Sequence, residues 1–219
     1  MLLAPVKGFE SWRFNTWVPF SGLHCASFFG IIEVVATLIE MERYDINGRD
    51  LSGRTPLAWA AHSGHEGVVK MLLKREAVNP DKPDHNGKTP LSYAALTGHE
   101  EVVKILLARE EVNPGKSDKY GRTPLSYAVQ NGHEGVAKML LGREEINPDK
   151  PDNDGWTPLS YAASNGHEGV VKILLRREEV NPDKPDNYGQ TPLSYATERG
   201  YGRVVALLQS RGAGISSTI

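Results

Sequence analysis

The sequence predicts an all-α solenoid of about six helix-turn-helix units joined by short β-hairpin fingers, with a degenerate first unit and a capping last one. Three observations carry this. The triplet Thr-Pro-Leu starts at Thr55, Thr89, Thr123, Thr157 and Thr191, each 34 residues after the one before. The triplet Gly-His-Glu recurs in step at Gly64, Gly98, Gly132 and Gly166. After each Gly-His-Glu, apolar residues return at helical spacing, as in Val102, Val103, Leu106 and Leu107. Self-similarity at one fixed period is the signature of stacked supersecondary units.

Taken in order, residues 1–20 contain Trp12, Phe14, Trp17 and Phe20 without repeat character, and are expected to form a non-repeat N-terminal segment or cap. The repeat domain is expected to span 21–212, with units starting near 21, 55, 89, 123, 157 and 191. Stepping back 34 residues from Thr55 reaches Ser21, where SGLHCASFFGIIEVVATLI keeps the Leu, Ala and Gly spacing without threonine and proline. In the regular units threonine is an N-cap and proline the first helical residue, where its missing N–H is no loss. Residues LSYAALT then run to Gly98, a residue tolerant of positive φ, which ends the helix after about two turns. The second helix comes at once. Its opposite face carries Glu66/Lys70, Glu100/Lys104, Glu134/Lys138 and Glu168/Lys172 at the favourable i,i+4 spacing, so this column is expected to be a solvated face.

Between units, Asn-Pro and Lys-Pro bonds push the preceding residues toward extended backbone, and no helix continues there. Gly53, Gly87, Gly121, Gly155 and Gly189 each stand two residues before a threonine, as a tight turn requires. The last unit, TPLSYATERGYGRVVALLQSRG, has Tyr201 in place of histidine and a more polar second half, as a terminal cap does. Residues 213–219 have nothing to pack with and are expected to be a disordered tail. Helices this short are marginal alone, so the units must stack and bury their Leu and Val faces in one continuous core.

From about Ser21 to Gly212 these residues resemble the ankyrin repeat, and most closely the NPD-type repeats common in filamentous fungi. The resemblance implies a non-catalytic interaction scaffold that binds a protein partner through its hairpin fingers and concave helix face. Such arrays also occur attached to nucleotide-binding oligomerisation receptors, so the alternative it implies is a sensor or regulatory array derived from such a receptor. The family usually has histidine after Thr-Pro-Leu, where this chain has Ala58, Ser92, Ser126, Ser160 and Ser194. The inter-repeat hydrogen bond of that histidine must then be made by a hydroxyl or not at all. The longer loop holding Asn113-Pro114 turns the common period of 33 into 34.

Other functions are disfavoured by composition and motif. The chain is 39% hydrophobic and 24% charged, with a net charge of -2 and both signs interspersed, which offers no footprint for nucleic acid or anionic lipid. The start, MLLAPVKGFE, reads as a poor signal peptide, and no uncharged stretch approaches the roughly 20 residues of a membrane helix. A single cysteine, Cys25, suits a reducing compartment. The expectation is therefore an intracellular protein, cytoplasmic rather than nuclear, and monomeric. His65, His99, His133 and His167 fall one per unit, not around one point, so no metal centre is expected. Asp-Lys-Pro-Asp at Asp81, Asp149 and Asp183 lacks calcium-loop spacing and reads as turn chemistry. No phosphate loop, GxSxG elbow or HExxH helix is present, and Cys25 sits among apolar neighbours. No enzyme activity and no cofactor are expected.

Specificity can be written where matching units differ. In the fingers these positions are expected to be exposed, and they include Arg54, His85, Lys88, Tyr120, Arg122, Asp154, Trp156, Tyr188 and Gln190. On the first helices they include His62, Leu96, Gln130, Asn165 and Arg199, just before the closing glycine, which in the ankyrin family line the concave face. Together these form the candidate partner-binding set. Tyr120, Trp156 and Tyr188 are expected near one another on successive fingers, as a hot spot of exposed aromatics, unless they pack on the neighbouring finger instead.

Overall fold

Thr55, Thr89, Thr123, Thr157 and Thr191 each open a helix, their side chains accepting the backbone N–H three residues on at 3.1–3.2 Å. The structure, a computed structural model, describes residues 20–41 and 44–215, with 211–215 as backbone only. The expectation of an N-terminal cap falls almost wholly on residues 1–19, outside the described residues. Six helix pairs succeed one another: α1 (Gly22–Phe29) with α2 (Ile32–Glu40), α3 (Pro56–His62) with α4 (Glu66–Leu73), α5 (Pro90–Thr97) with α6 (Glu100–Leu107), α7 (Pro124–Gln130) with α8 (Glu134–Leu141), α9 (Pro158–Ser164) with α10 (Glu168–Leu175), and α11 (Pro192–Glu198) with α12 (Gly202–Ile215). Each odd-numbered helix packs on the odd-numbered helices of its neighbours, and the even-numbered helices form a second layer. Helix α12 passes the boundary at 212 that the repeat pattern suggests, and the rest of the expected tail, 216–219, lies outside the described residues.

The core between the layers is periodic. Leu57, Leu91, Leu125 and Leu159 of the first helices and Leu72, Leu106, Leu140 and Leu174 of the second are all at most 1% exposed. Small residues let the first helices approach closely: Ala60, Ala94, Ala128, Ala162 and Ala196 are fully buried. Burying a leucine of this kind is worth about 1.5–3 kcal/mol, and every one lies where two units meet.

The serines after Thr-Pro-Leu do not bridge repeats. Ser92 Oγ lies 3.3 Å from the N–H of Thr89 and 3.1 Å from its hydroxyl, closing a capping box within its own unit. The bridge comes from the Gly-His-Glu histidines. Nε2 of His65, His99, His133 and His167 meets the carbonyls of Phe28, His62, Leu96 and Gln130, respectively, at 2.8–3.1 Å, each 37 residues back. The helix-ending glycine of the preceding unit makes room for each ring. Gly98 has φ +79°, and a Cβ there would stand 2.5 Å from the His133 ring. In the last unit Tyr201 takes the histidine's place against Gly166, and Arg199 Nη1 donates to the orphaned carbonyl of Ser164 at 2.9 Å.

Two expectations about surface detail are corrected. Lys104 pairs with Glu101 at 3.9 Å rather than with Glu100, because this unit alone has a second glutamate at that point. The other pairs form as spaced, Lys70–Glu66 at 3.4 Å, Lys138–Glu134 at 3.9 Å and Lys172–Glu168. The fingers are tight turns without strands among the described residues. Each is joined to the next by one backbone bond, such as His85 N–H to Ser52 O at 2.9 Å and Lys119 N–H to Asn86 O at 2.8 Å, too few for a ladder.

The first unit keeps a histidine where later units have serine. His24 Nδ1 accepts from the Ser21 N–H at 3.1 Å, and Nε2 reaches Gly48 O and Arg54 O at 3.0 and 3.1 Å. Burial, only partly offset by these two carbonyls, holds its pKa below the ordinary 6.5. The folded value is thus below the unfolded one, so the unfolded chain binds more protons and stability is lost as pH falls from about 6.5 through the folded pKa. The urea midpoint should drop between about pH 7 and about pH 5, and His24→Ser should remove part of that drop; an unchanged slope would exclude His24 as a source. At Gly98, alanine should cost about 1–3 kcal/mol for its positive φ, plus the His133 clash. At Gly142, which has φ −75°, alanine should stabilise by about 0.4–1 kcal/mol. Equal midpoints for the two variants would contradict this account.

Candidate functional site

Each finger is built around one aspartate. Asp84 Oδ1 accepts the N–H groups of Asn86 and Lys88 at 2.8 Å each, which folds the finger, and its Oδ2 accepts the Tyr93 hydroxyl at 2.7 Å, which ties the finger to helix α5. The arrangement recurs as Asp118–Tyr127, Asp152–Tyr161 and Asp186–Tyr195, and in the first finger as Asp50 to Trp59 Nε1 at 3.0 Å. Burial pushes the phenols of Tyr93, Tyr127, Tyr161 and Tyr195 far up, and their carboxylate partners add to this, so they stay neutral donors. Burial alone would raise the carboxyls of Asp50 and Asp186. The hydrogen bonds they accept outweigh it, joined at Asp50 by the Arg54 charge, and hold both below the ordinary range.

These locks set an aromatic column along the face formed by fingers and first helices. The fifth finger residue lies against it. Arg54 stacks on Trp59 at 3.8 Å; Lys88 lies 5.8 and 5.3 Å from the Tyr93 and Tyr127 rings; Arg122 lies 5.0 Å from Tyr127 and 4.9 Å from Tyr120. His62 is wedged edge-on between Trp59 and Tyr93, at 6.1 and 5.7 Å. In the fourth finger Trp156 takes the cation's place, 5.1 Å from Tyr161 and 4.3 Å from Tyr195.

The expected residues separate accordingly. Gln130, Asp154, Trp156, Asn165 and Arg199 come together with Asp152, Tyr161 and Ser164 around a concavity of about 350 Å³. Arg54, Lys88, Arg122 and His62 belong to the cation–aromatic run, and Leu96 lies half-buried on the same helix ends. His85 projects from the second finger with its ring against Gly53 of the first. Tyr120 and Tyr188 stand 53% and 77% exposed at the third position of their fingers, whereas Trp156 occupies the fifth position and is half-buried. No ring contact joins them among the described residues, so the aromatics do not form one cluster. The difference is register: Tyr120 and Tyr188 precede the finger glycine, whereas Trp156 follows it and packs on Tyr161 and Tyr195. Gln190 is exposed at the fifth position of the last finger.

Trp59, Tyr93, Tyr127, Tyr161 and Tyr195, buried or half-buried beneath the fingers, hold the finger–helix face in place, a role that a reading of the helices as pure scaffold misses. Their signal is a second period: each lies nine residues after a finger aspartate, at the same repeat of 34. Among the described residues no group of three His, Cys, Asp or Glu could hold a metal ion, and no helix is long and apolar enough to cross a membrane.

The finger lock is open to a double-mutant test. Asp84→Asn keeps the turn acceptor but loses the acceptor for Tyr93, and Tyr93→Phe loses the donor. Each should cost about 1.5–3 kcal/mol, with the double variant close to either single one. Additive losses would mean that the two groups act independently.

No curated protein matches the chain significantly. Among solved structures it is similar to the human ASB11 ankyrin repeat domain, with 26% identity and a TM-score of 0.79 over 88% of this chain and 84% of that one. It is also similar to an ankyrin repeat domain from Acinetobacter baumannii AYE, with 27% identity and a TM-score of 0.74 over 87% of this chain and 97% of that one. The family model of ankyrin repeats in three copies matches residues 15–84, 76–152 and 138–219. With stacked helix pairs, finger turns and this match along the repeats, the chain belongs to the ankyrin-repeat family, whose domains are in general protein–protein interaction modules and typically non-catalytic.

Proposed function

We propose that this chain is a non-catalytic binding module that grips a protein partner on its finger–helix face, centred on the concavity beside Trp156. The observation that carries the reading is convergence. Five residues that vary between otherwise matching units line one depression, and an aromatic pair, Trp156 and Tyr161 at 5.1 Å, forms part of its wall. Varied residues on an invariant frame are what a specificity surface needs, and an aromatic flanked by arginine and hydrogen-bonding groups is the composition of an interface centre. The same depression holds Asp154, Asn165 and Gln130 as polar groups that can fix a partner's orientation. A lone, half-buried Cys25 supports an intracellular site of action.

Trp156 packs on two tyrosines, so its removal alone confounds binding with stability by about 0.5–1.5 kcal/mol per aromatic pair. Asp154 is exposed, and its own carboxylate is not part of the finger lock. Immobilised chain should capture from cell lysate a protein that Asp154→Arg and Trp156→Ala both lose by at least about tenfold, while Gly142→Ala, on the second-helix layer, retains it. Capture that is indifferent to Asp154→Arg and Trp156→Ala would move the site off this face.

A further inference from the structure

The finger–helix face changes character along the stack. Over the first three fingers, the fifth position carries Arg54, Lys88 and Arg122, with His85 and Lys119 exposed at the tips. Over the last two, that position holds Trp156 and Gln190, residues 152–156 and 186–190 contain no lysine or arginine, and Asp154 is exposed.

The carboxylates beneath the cationic half are turned inward. Asp50, Asp84 and Asp118 are 4%, 6% and 8% exposed, and each uses Oδ1 on two backbone N–H groups and Oδ2 on Trp59, Tyr93 or Tyr127. Arg54 Nε shares Asp50 Oδ2 at 2.9 Å, and Arg122 Nε stands 3.5 Å from Asp118 Oδ2. Lys88 differs from both. Its ammonium lies between two tyrosine rings and, among the described residues, makes neither an ion pair nor a hydrogen bond. Three donors are thus held in place on a half-exposed surface with no acceptor. The nearby His62 imidazole is kept below its ordinary pKa first by burial and then by the charges of Arg54, His99 and Lys88.

We infer that the protein partner of this face presents an acidic stretch of polypeptide, lying over the first three fingers with a carboxylate on the Lys88 ammonium. This deepens the proposed function and rests on its placing the partner on this face. A cation positioned by aromatic rings and left without a counter-charge is preorganised for an anion, and complementary charge steers the encounter and fixes its register. The absence of finger cations beyond Arg122 gives the ligand a direction: its acidic part lies toward the first unit, and its remaining part reaches the concavity, where Arg199 stands beside Asp154.

The test pans a displayed library of random dodecapeptides against the full chain and against the Lys88→Glu and Asp154→Arg variants. The Lys88 side chain makes no hydrogen bond, so Lys88→Glu and the neutral Lys88→Met should keep the native circular dichroism. The expected result is enrichment of Asp and Glu on the intact chain, with selected acidic peptides binding roughly tenfold more weakly to Lys88→Glu, less weakened by Lys88→Met, and weakening as salt rises. Peptides without acidic enrichment that are nevertheless lost in Asp154→Arg would overturn the acidic partner and leave the binding face standing. Peptides indifferent to both substitutions would overturn both readings. Recovery of no peptide, or retention of a single-stranded RNA in preference to the acidic peptides, would also overturn this inference.

Discussion

No helix of a regular unit exceeds eight residues, below the length at which a helix persists in water, so each exists only because its neighbours cover it. This constraint orders everything else. Leu57, Leu91, Leu125 and Leu159 are buried because the next unit lies over them, and the alanines beside them are small because the first helices must come that close. The hydrogen bonds that cross between units serve the same end. A histidine at the head of a second helix meets a carbonyl near the end of the preceding unit's first helix, a group that no residue of that helix can reach. Where the histidine is missing, at Tyr201, an arginine reaches back to the same carbonyl. A surface residue by composition, Arg199 is thus both part of the frame and part of the concavity wall.

The finger aspartate couples that frame to the finger–helix face. It shapes the finger through its backbone bonds and fixes the finger's angle through the aromatic hydroxyl or indole of the first helix. The finger positions are thereby held by buried hydrogen bonds rather than by loop contacts, which would lower the ordering cost for a partner at the proposed face. Because the lock repeats, the fifth position of the first four fingers falls on the aromatic column, while Gln190 in the last is exposed. The stack can therefore exchange Arg54, Lys88, Arg122, Trp156 and Gln190 at that position, changing charge and shape without changing the backbone.

Most of the architecture was legible in the residues. The period, the Thr-Pro helix starts, the glycine stops and the buried Leu and Val faces are all local or strictly repeated signals, and local signals survive without knowledge of the fold. Five of the residues that vary between units do line one depression. What could not be read was which aromatic is packed: Tyr120, Trp156 and Tyr188 look alike in sequence, yet Trp156, after the finger glycine, packs on Tyr161 and Tyr195, while Tyr120 and Tyr188, before it, stay exposed. The serines after Thr-Pro-Leu posed the same difficulty, since a hydroxyl can cap its own helix or reach across, and only the three-dimensional distance decides.

The sequence by itself therefore determined the repeat period, the Thr-Pro starts and glycine stops of the first helices, and the faces that must be buried, because these depend on backbone preferences and on hydrophobic period. Only the tertiary structure decided which partners the polar side chains take. Asp84 reaches Tyr93, His99 reaches the carbonyl of His62, Arg199 replaces a histidine, and Lys88 is left between two rings without a carboxylate. Such pairings join residues of different elements and units, and hydrogen bonds act over about 3 Å, so they are set by packing geometry that no single stretch of chain encodes.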